Sequence, residues 1–202
     1  MQRIDQKIQS PRWRLNNLYH IVGKDAQDVI FKMNWAQSQL YEQQHYLNVI
    51  VKARQLGMST FIALLFLDTC LWNPNVSAGI ICHTRGDAEE LFKTKIKYPY
   101  EHLDVEYREY RTATTDSARQ LTFSNGSSIR VGTSMRSGTC QLLHISEMGK
   151  ICAKYPEKAV EIVTGSLNAV QAGSFIFIES TAEGRGGYFF DYATKAYKME
   201  QL

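Results

Sequence analysis

Cysteine is scarce and badly placed for either of its structural uses. The four cysteines of the 202-residue chain, Cys70, Cys82, Cys140 and Cys152, form no CxxC pair and have no histidines at zinc-ligand spacing. We expect no structural metal and no disulfide, with Cys70 and Cys82 acting as small core residues. Long hydrophobic runs are missing too. The longest, Phe61–Leu67, spans seven residues before Asp68, against the roughly 20 that a membrane span needs. The opening MQRIDQKIQS has no apolar stretch of the kind that heads a secreted chain. A soluble protein with no membrane partner is expected.

Strong charge of one sign is also lacking: the net charge is +3, too little to argue for nucleic acid by itself. Its distribution is uneven. Arg3, Lys7, Arg12, Arg14 and Lys24 face Asp5 alone within residues 1–24, and Arg108, Arg111, Arg119, Arg130 and Arg136 face only Glu109 and Asp116. Arginine suits phosphate recognition, although a solvated surface accounts for such a cluster equally well. Hydrophobic residues make up 44% and charged residues 21%. That balance excludes a disordered chain, a coiled coil and a collagen-like repeat, and the length suits one domain with a real core.

Residues 1–33 read as a basic lead-in segment and 34–202 as the main domain. A helix is expected over 35–45, then a buried strand over Leu47–Ala53 and a buried helix over Phe61–Trp72. Ser77–His83 reads as a second strand, with a helix from about Asp87 to Lys97; residues 98–118 are ambiguous. Asn125–Gly126 marks a hairpin between Leu121–Phe123 and Ser128–Gly132. Leu142–Ser146 and Ser174–Ser180 are further strands, and Pro156–Val170 and Tyr188–Met199 helices. This alternation predicts an α/β fold with a mostly parallel sheet flanked by helices.

Three strand ends carry chemistry. At VKARQLGMST (51–60) a buried strand passes through a loop holding Gly57 into a helix that opens on Ser59 and Thr60. Backbone N–H groups and a helix N-terminus in that setting can cradle phosphates. Ser59 stands where the hydroxyl of G-x-x-x-x-G-K-[ST] meets Mg²⁺, but Met58 replaces the lysine and the first glycine is absent. At LLHISEMG (142–149) an apolar strand ends in Ser146 and Glu147. Glu147 can polarise a water for attack on a γ-phosphate, and Ser146 replaces the usual metal-binding aspartate. At IESTAEG (178–184) hydroxyl residues again follow an apolar strand, where open α/β sheets bind ligands.

The order ARQLGMST, LHISEMGK, ESTAEG resembles the ATPase domain of the tailed-phage terminase large subunit over roughly residues 30–190. The resemblance implies a P-loop NTPase of the additional-strand catalytic-glutamate class, with ATP and Mg²⁺ as cofactors. It implies that Ala53, Arg54, Gln55, Leu56, Gly57, Met58, Ser59 and Thr60 wrap the triphosphate, with Ser59 and Ser146 at the metal. Glu147 becomes the base and Arg54 an in-cis arginine. Ser180, Thr181 and Ala182 couple hydrolysis to movement, and Gln37 reads adenine. For the missing lysine, Lys52 and Arg54 are the candidates; strand alternation turns Lys52 away from the loop and favours Arg54. Arg85 (in HTRGD) and Arg136 (in MRSGT) are candidate relay or trans-acting arginines.

The implied function is ATP-driven translocation of double-stranded DNA into a prohead, in the host cytoplasm. The implied partners are the portal protein, the terminase small subunit and a homo-oligomeric ring, a pentamer, with a monomer expected in isolation. The family's C-terminal nuclease domain has no counterpart here, so no nuclease activity is expected. Two rivals stand beside this reading: a helicase-like DNA-translocating ATPase, and a nucleotide-binding module that no longer hydrolyses, suggested by Met58 and Ser146.

Overall fold

The computed structural model describes residues 6–135, 140–167, 170 and 173–198. A short helical turn (Gln6–Gln9) and α1 (Pro11–Asn17) lead to a small hairpin of β1 (His20–Val22) and β2 (Asp28–Ile30). Then come α2 (Trp35–Gln43), β3 (Leu47–Val51) and α3 (Met58–Trp72). β4 (Ser77–Ile81) precedes α4 (Arg85–Phe92), which runs through a π turn at Lys93–Lys97 into α5 (Tyr98–Glu101). The ambiguous region resolves into α5, α6 (Val105–Tyr110) and β5 (Ala113–Asp116). β6 (Gln120–Phe123) and β7 (Ser128–Gly132) form the expected hairpin. The chain continues through β8 (Leu142–Ser146), α7 (Met148–Lys154), α8 (Pro156–Glu161) with a π turn at Ile162–Ser166, β9 (Phe175–Ser180) and α9 (Gly187–Lys198).

The main sheet has seven strands in the order β3-β9-β8-β4-β7-β6-β5. The first five are parallel, and β6 and β5 add an antiparallel edge. β9 lies between β3 and β8, so the strand before the loop 52–57 and the strand before Glu147 are separated by one extra strand. That is the additional-strand order the resemblance implied.

Each face of the sheet has its own core. α3 lies on one face, and its sequence MSTFIALLFLDTCLW buries Phe61, Ile62, Leu64, Phe66 and Leu67 completely. A helix apolar on every side belongs inside a layer rather than on its surface. Alternation along β8 and β9 sends Leu142 and Phe177 toward this α3 layer. Leu143, Ile145 and Ile178 point to the other face, against α7, α8 and α9.

The basic N-terminal segment packs into the same body. Ile8, Leu15, Leu18, Tyr19 and Phe31 join the α3 core. Arg14, one of the N-terminal cations, is buried and grips Asp68 through two hydrogen bonds, Nε to Oδ1 at 2.8 Å and Nη2 to Oδ2 at 2.7 Å. Tyr19 Oη donates to the same carboxylate at 2.7 Å. Asp68 therefore interrupts the apolar pattern without ending the helix: its charge is neutralised inside it. Arg111 is likewise engaged, stacked on Tyr110 and donating to the Leu71 carbonyl. Among the described residues, no helix is long and apolar enough to cross a membrane.

Candidate active site

The C-terminal ends of β3, β4, β8 and β9 open onto one cleft of about 670 Å³, a size that holds a small ligand. The loop 52–57 forms one wall. Gly57 caps α3 with φ +75° and offers no side-chain acceptor to the helix. The first amides of a 15-residue helix are thus left for an outside partner. Gln55 also has positive φ, at 60°. A Cβ on Gly57 would lie 2.8 Å from Gln37 Nε2, and the positive φ would strain any larger residue there. Gln37 itself is buried. Its Nε2 donates to the Gly57 carbonyl at 2.9 Å, and its Oε1 accepts from Asn34 N in a capping box. Gln37 ties α2 to the loop.

Glu147 sits where β8 turns sharply into α7, with φ 58° and ψ 45°. A non-glycine residue held in the left-handed region stores strain of about 1–3 kcal/mol, a common mark of a functional position. The turn lifts its carboxylate into the cleft. Gly149, one residue into α7, lets that helix approach β9: a Cβ there would come 2.8 Å from Ser180 Oγ and 3.0 Å from the Thr181 carbonyl. Ser180 Oγ and Thr181 Oγ1 each lie 3.5 Å from Glu147 Oε2, and Ala182 follows in an exposed loop. The candidate base and the candidate coupling residues are therefore in direct reach of one another.

Lys52 corrects the expectation drawn from alternation. Its ammonium points into the cleft, 2.8 Å from Glu147 Oε1 and 3.0 Å from Glu179 Oε2. The reason is register: Ile50 pairs with Glu179 and packs toward the α3 layer, and Lys52, two residues on, shares that face. Burial works against the Lys52 charge, yet Glu179 and Glu147 hold its pKa above the ordinary lysine value. Arg54 lines the same cleft but is exposed. Met58 is buried and supplies no cation.

Glu179 lies within IESTAEG, yet sequence reasoning assigns it no role. It is fully buried. Ser59 Oγ and Ser146 Oγ, the latter at 3.1 Å, both donate to its Oε1, and His144 Nε2 lies 3.3 Å from the same atom. Burial alone would raise its pKa; the His144 ring, the Lys52 ammonium and the Ser59 hydroxyl hold it down to about 2. The signal that could have found it is an acid inside an apolar strand, since such residues are almost never buried without a partner. Lys95, Lys150 and Lys154 also line the cleft. The π turn at Lys93–Lys97 places Lys95 there, and burial lowers its pKa; KTKIK gives no hint of this beyond a charge run. Two hydroxyls and a carboxylate meeting at one point are hard oxygen donors of the type that suits Mg²⁺.

Arg85 lies apart. It is exposed on α4, pairs with Glu89 at 2.8 Å, and is not among the cleft-lining residues. Arg136 falls outside the described residues.

No family model and no curated protein matches the chain. Among solved structures, it is similar to the large terminase ATPase domain of Thermus phage P74-26, with a TM-score of 0.60 at 16% identity, covering 80% of this chain and 69% of that one. It is also similar to the large terminase of bacteriophage HK97, with a TM-score of 0.66 at 13% identity, covering 96% of this chain and 41% of that one. The chain thus spans less than half of the HK97 protein's length. Its fold is that of the ATPase domain of phage large terminases.

Proposed function

We propose that the chain hydrolyses ATP to drive double-stranded DNA into a viral prohead, as the motor domain of a terminase large subunit in the host cytoplasm. One observation carries the reading. On a sheet with the terminase ATPase fold, a candidate base, a loop lysine and a glycine-capped helix converge on a single cleft.

In this mechanism the loop 53–57 and the amides opening α3 hold the phosphates, with Ser59 and Thr60 at the helix start. Lys52 and Arg54 supply positive charge that Met58 cannot. Glu147 accepts a proton from the attacking water as its oxygen bonds to the γ-phosphorus in line and ADP leaves. In the structure Lys52 occupies Glu147, so the base is pinned until phosphate oxygens draw the ammonium away. The Ser59 and Ser146 hydroxyls lie where a metal could be held, and a bound Mg²⁺ would neutralise charge on the β- and γ-phosphates. Ser180 and Thr181, within reach of Glu147, would register the change of charge and pass it to β9 and α7, with Ala182 in the loop that follows. Gln37 would set the loop's shape beside the nucleotide. The motor state is a ring, a pentamer by resemblance, on DNA at the portal with the small subunit, and the isolated domain is a monomer.

Phosphate release from ATP and Mg²⁺ tests this, with and without duplex DNA, alongside strand separation on a forked duplex. Release that DNA stimulates, with the fork intact, supports a packaging motor. Strand separation would favour a helicase-like enzyme. Nucleotide binding without release, even in the full large subunit, would leave a binding module.

A further inference from the structure

The sequence lacks an acid at position 146, where sites of this kind place the carboxylate next to the cation. The structure has one nearby. Ser146 and Glu179 are register partners on the neighbouring parallel strands β8 and β9, and both side chains face α3. Parallel strands lie about 4.8 Å apart, and a glutamate is one methylene longer than an aspartate. The carboxylate of Glu179 thereby reaches the hydroxyls of Ser59 and Ser146, which both donate to its Oε1.

We propose that Glu179 is the carboxylate of the divalent-cation site, supplied by the strand beside β8 in place of an acid at 146. This rests on the nucleotide-site reading above and deepens it. Two features set Glu179 apart from a structural acid. Its Oε2 is buried and, among the described residues, meets a single partner, the Lys52 ammonium 3.0 Å away as an ion pair. A carboxylate oxygen faced by one ammonium keeps lone-pair capacity for a second partner. The second feature is what the ammonium does: it sits between two carboxylates, Glu147 and Glu179, at 2.8 and 3.0 Å. A cation in the cleft would take over at Glu179, freeing Lys52 for phosphate and Glu147 for water. One substitution of charge would thus load the site and unpin the base.

The experiment is titration of Mn²⁺ into the full-length protein saturated with a non-hydrolysable ATP analogue, read by the loss of the free-ion paramagnetic resonance signal. Binding of a fluorescent ATP analogue in EDTA is followed in parallel. Glu179→Gln should weaken Mn²⁺ binding roughly 10–100-fold while metal-free nucleotide binding is kept. Adding Ser146→Asp to Glu179→Gln should recover most of that affinity, because it returns the carboxylate from the adjacent strand. A structural role for Glu179 predicts no such recovery. If Glu179→Gln does not fold, Glu179→Asp keeps the charge and shortens the reach, and metal binding should still weaken. Unchanged Mn²⁺ affinity in these variants, with nucleotide bound, overturns the proposal alone. A wild type that binds neither nucleotide nor Mn²⁺ overturns it together with the nucleotide site.

Discussion

Two buried ionic clusters lie on the same face of the sheet, and they are built on opposite principles. At one end of α3, Asp68 is saturated: a bidentate guanidinium, a tyrosine hydroxyl and no oxygen to spare. Arg14 completes its own bonding with the Ile8 carbonyl and lies over the Trp72 ring. At the other end, Lys52, Glu147 and Glu179 share an incomplete set of bonds: Glu179 Oε2 meets only the Lys52 ammonium, as an ion pair, and His144 Nδ1 has no hydrogen-bond partner among the described residues. A closed pair fixes geometry, whereas an open one leaves valences for a ligand. Both use the same charges, and the difference lies in which bonds are left unmade.

Substitutions can break this contrast. The largest effect is expected at the open cluster. Lys52→Ala should lower ATP turnover about 100–1000-fold, and Arg54→Ala, at an exposed position, markedly less. Equal losses, measured as phosphate release at saturating ATP, would mean that Arg54 carries as much of the phosphate-binding charge as Lys52. At the closed pair the loss should appear in stability. Arg14→Ala strands a buried Asp68 and should cost about 3–5 kcal/mol in urea unfolding, with nucleotide affinity kept in the molecules that remain folded. A cost below about 1 kcal/mol, the level of a surface pair, would contradict the assignment.

Acid titration sharpens the comparison. Glu179 has a folded-state pKa of about 2 against an ordinary 4.5. Its charge therefore contributes stability that is complete above about pH 4.5 and is lost as pH falls toward 2. Glu179→Gln removes that component, so the decline in unfolding free energy across this window should become shallower. A decline as steep as wild type would mean that the carboxylate is not held ionised. The smallest effect is expected at Arg85, exposed and paired with Glu89 on its own helix. Arg85→Ala should change stability by no more than about 0.5 kcal/mol, and turnover of the isolated domain little.

Much of the frame is legible in the sequence. β8 matches its expected limits, and β3 and β4 end two residues early, each making one last backbone bond, from Lys52 N and Cys82 N, before the chain turns into the cleft. The loop and Glu147 are readable since strand, polar turn and helix are local signals. What the sequence hides is set by neighbours. Glu179 escapes because its importance comes from pairing with Ser146 across strands that are distant in sequence. Lys52 is misdirected because alternation gives two faces but not which one α3 covers. Arg14 reads as surface charge because its partner lies 54 residues away. Helix α7 has no local signature: ICAK follows a strained turn, and its packing on β9 depends on Gly149.

The most direct test of the account is phosphate release by wild type and Glu147→Gln, with nucleotide affinity measured on the same samples. The account predicts that Glu147→Gln binds ATP at least as well as wild type, because its loop and helix amides are intact, while turnover falls about 100–10,000-fold. Turnover at the wild-type rate would show that the strained glutamate at the end of β8 is not the base.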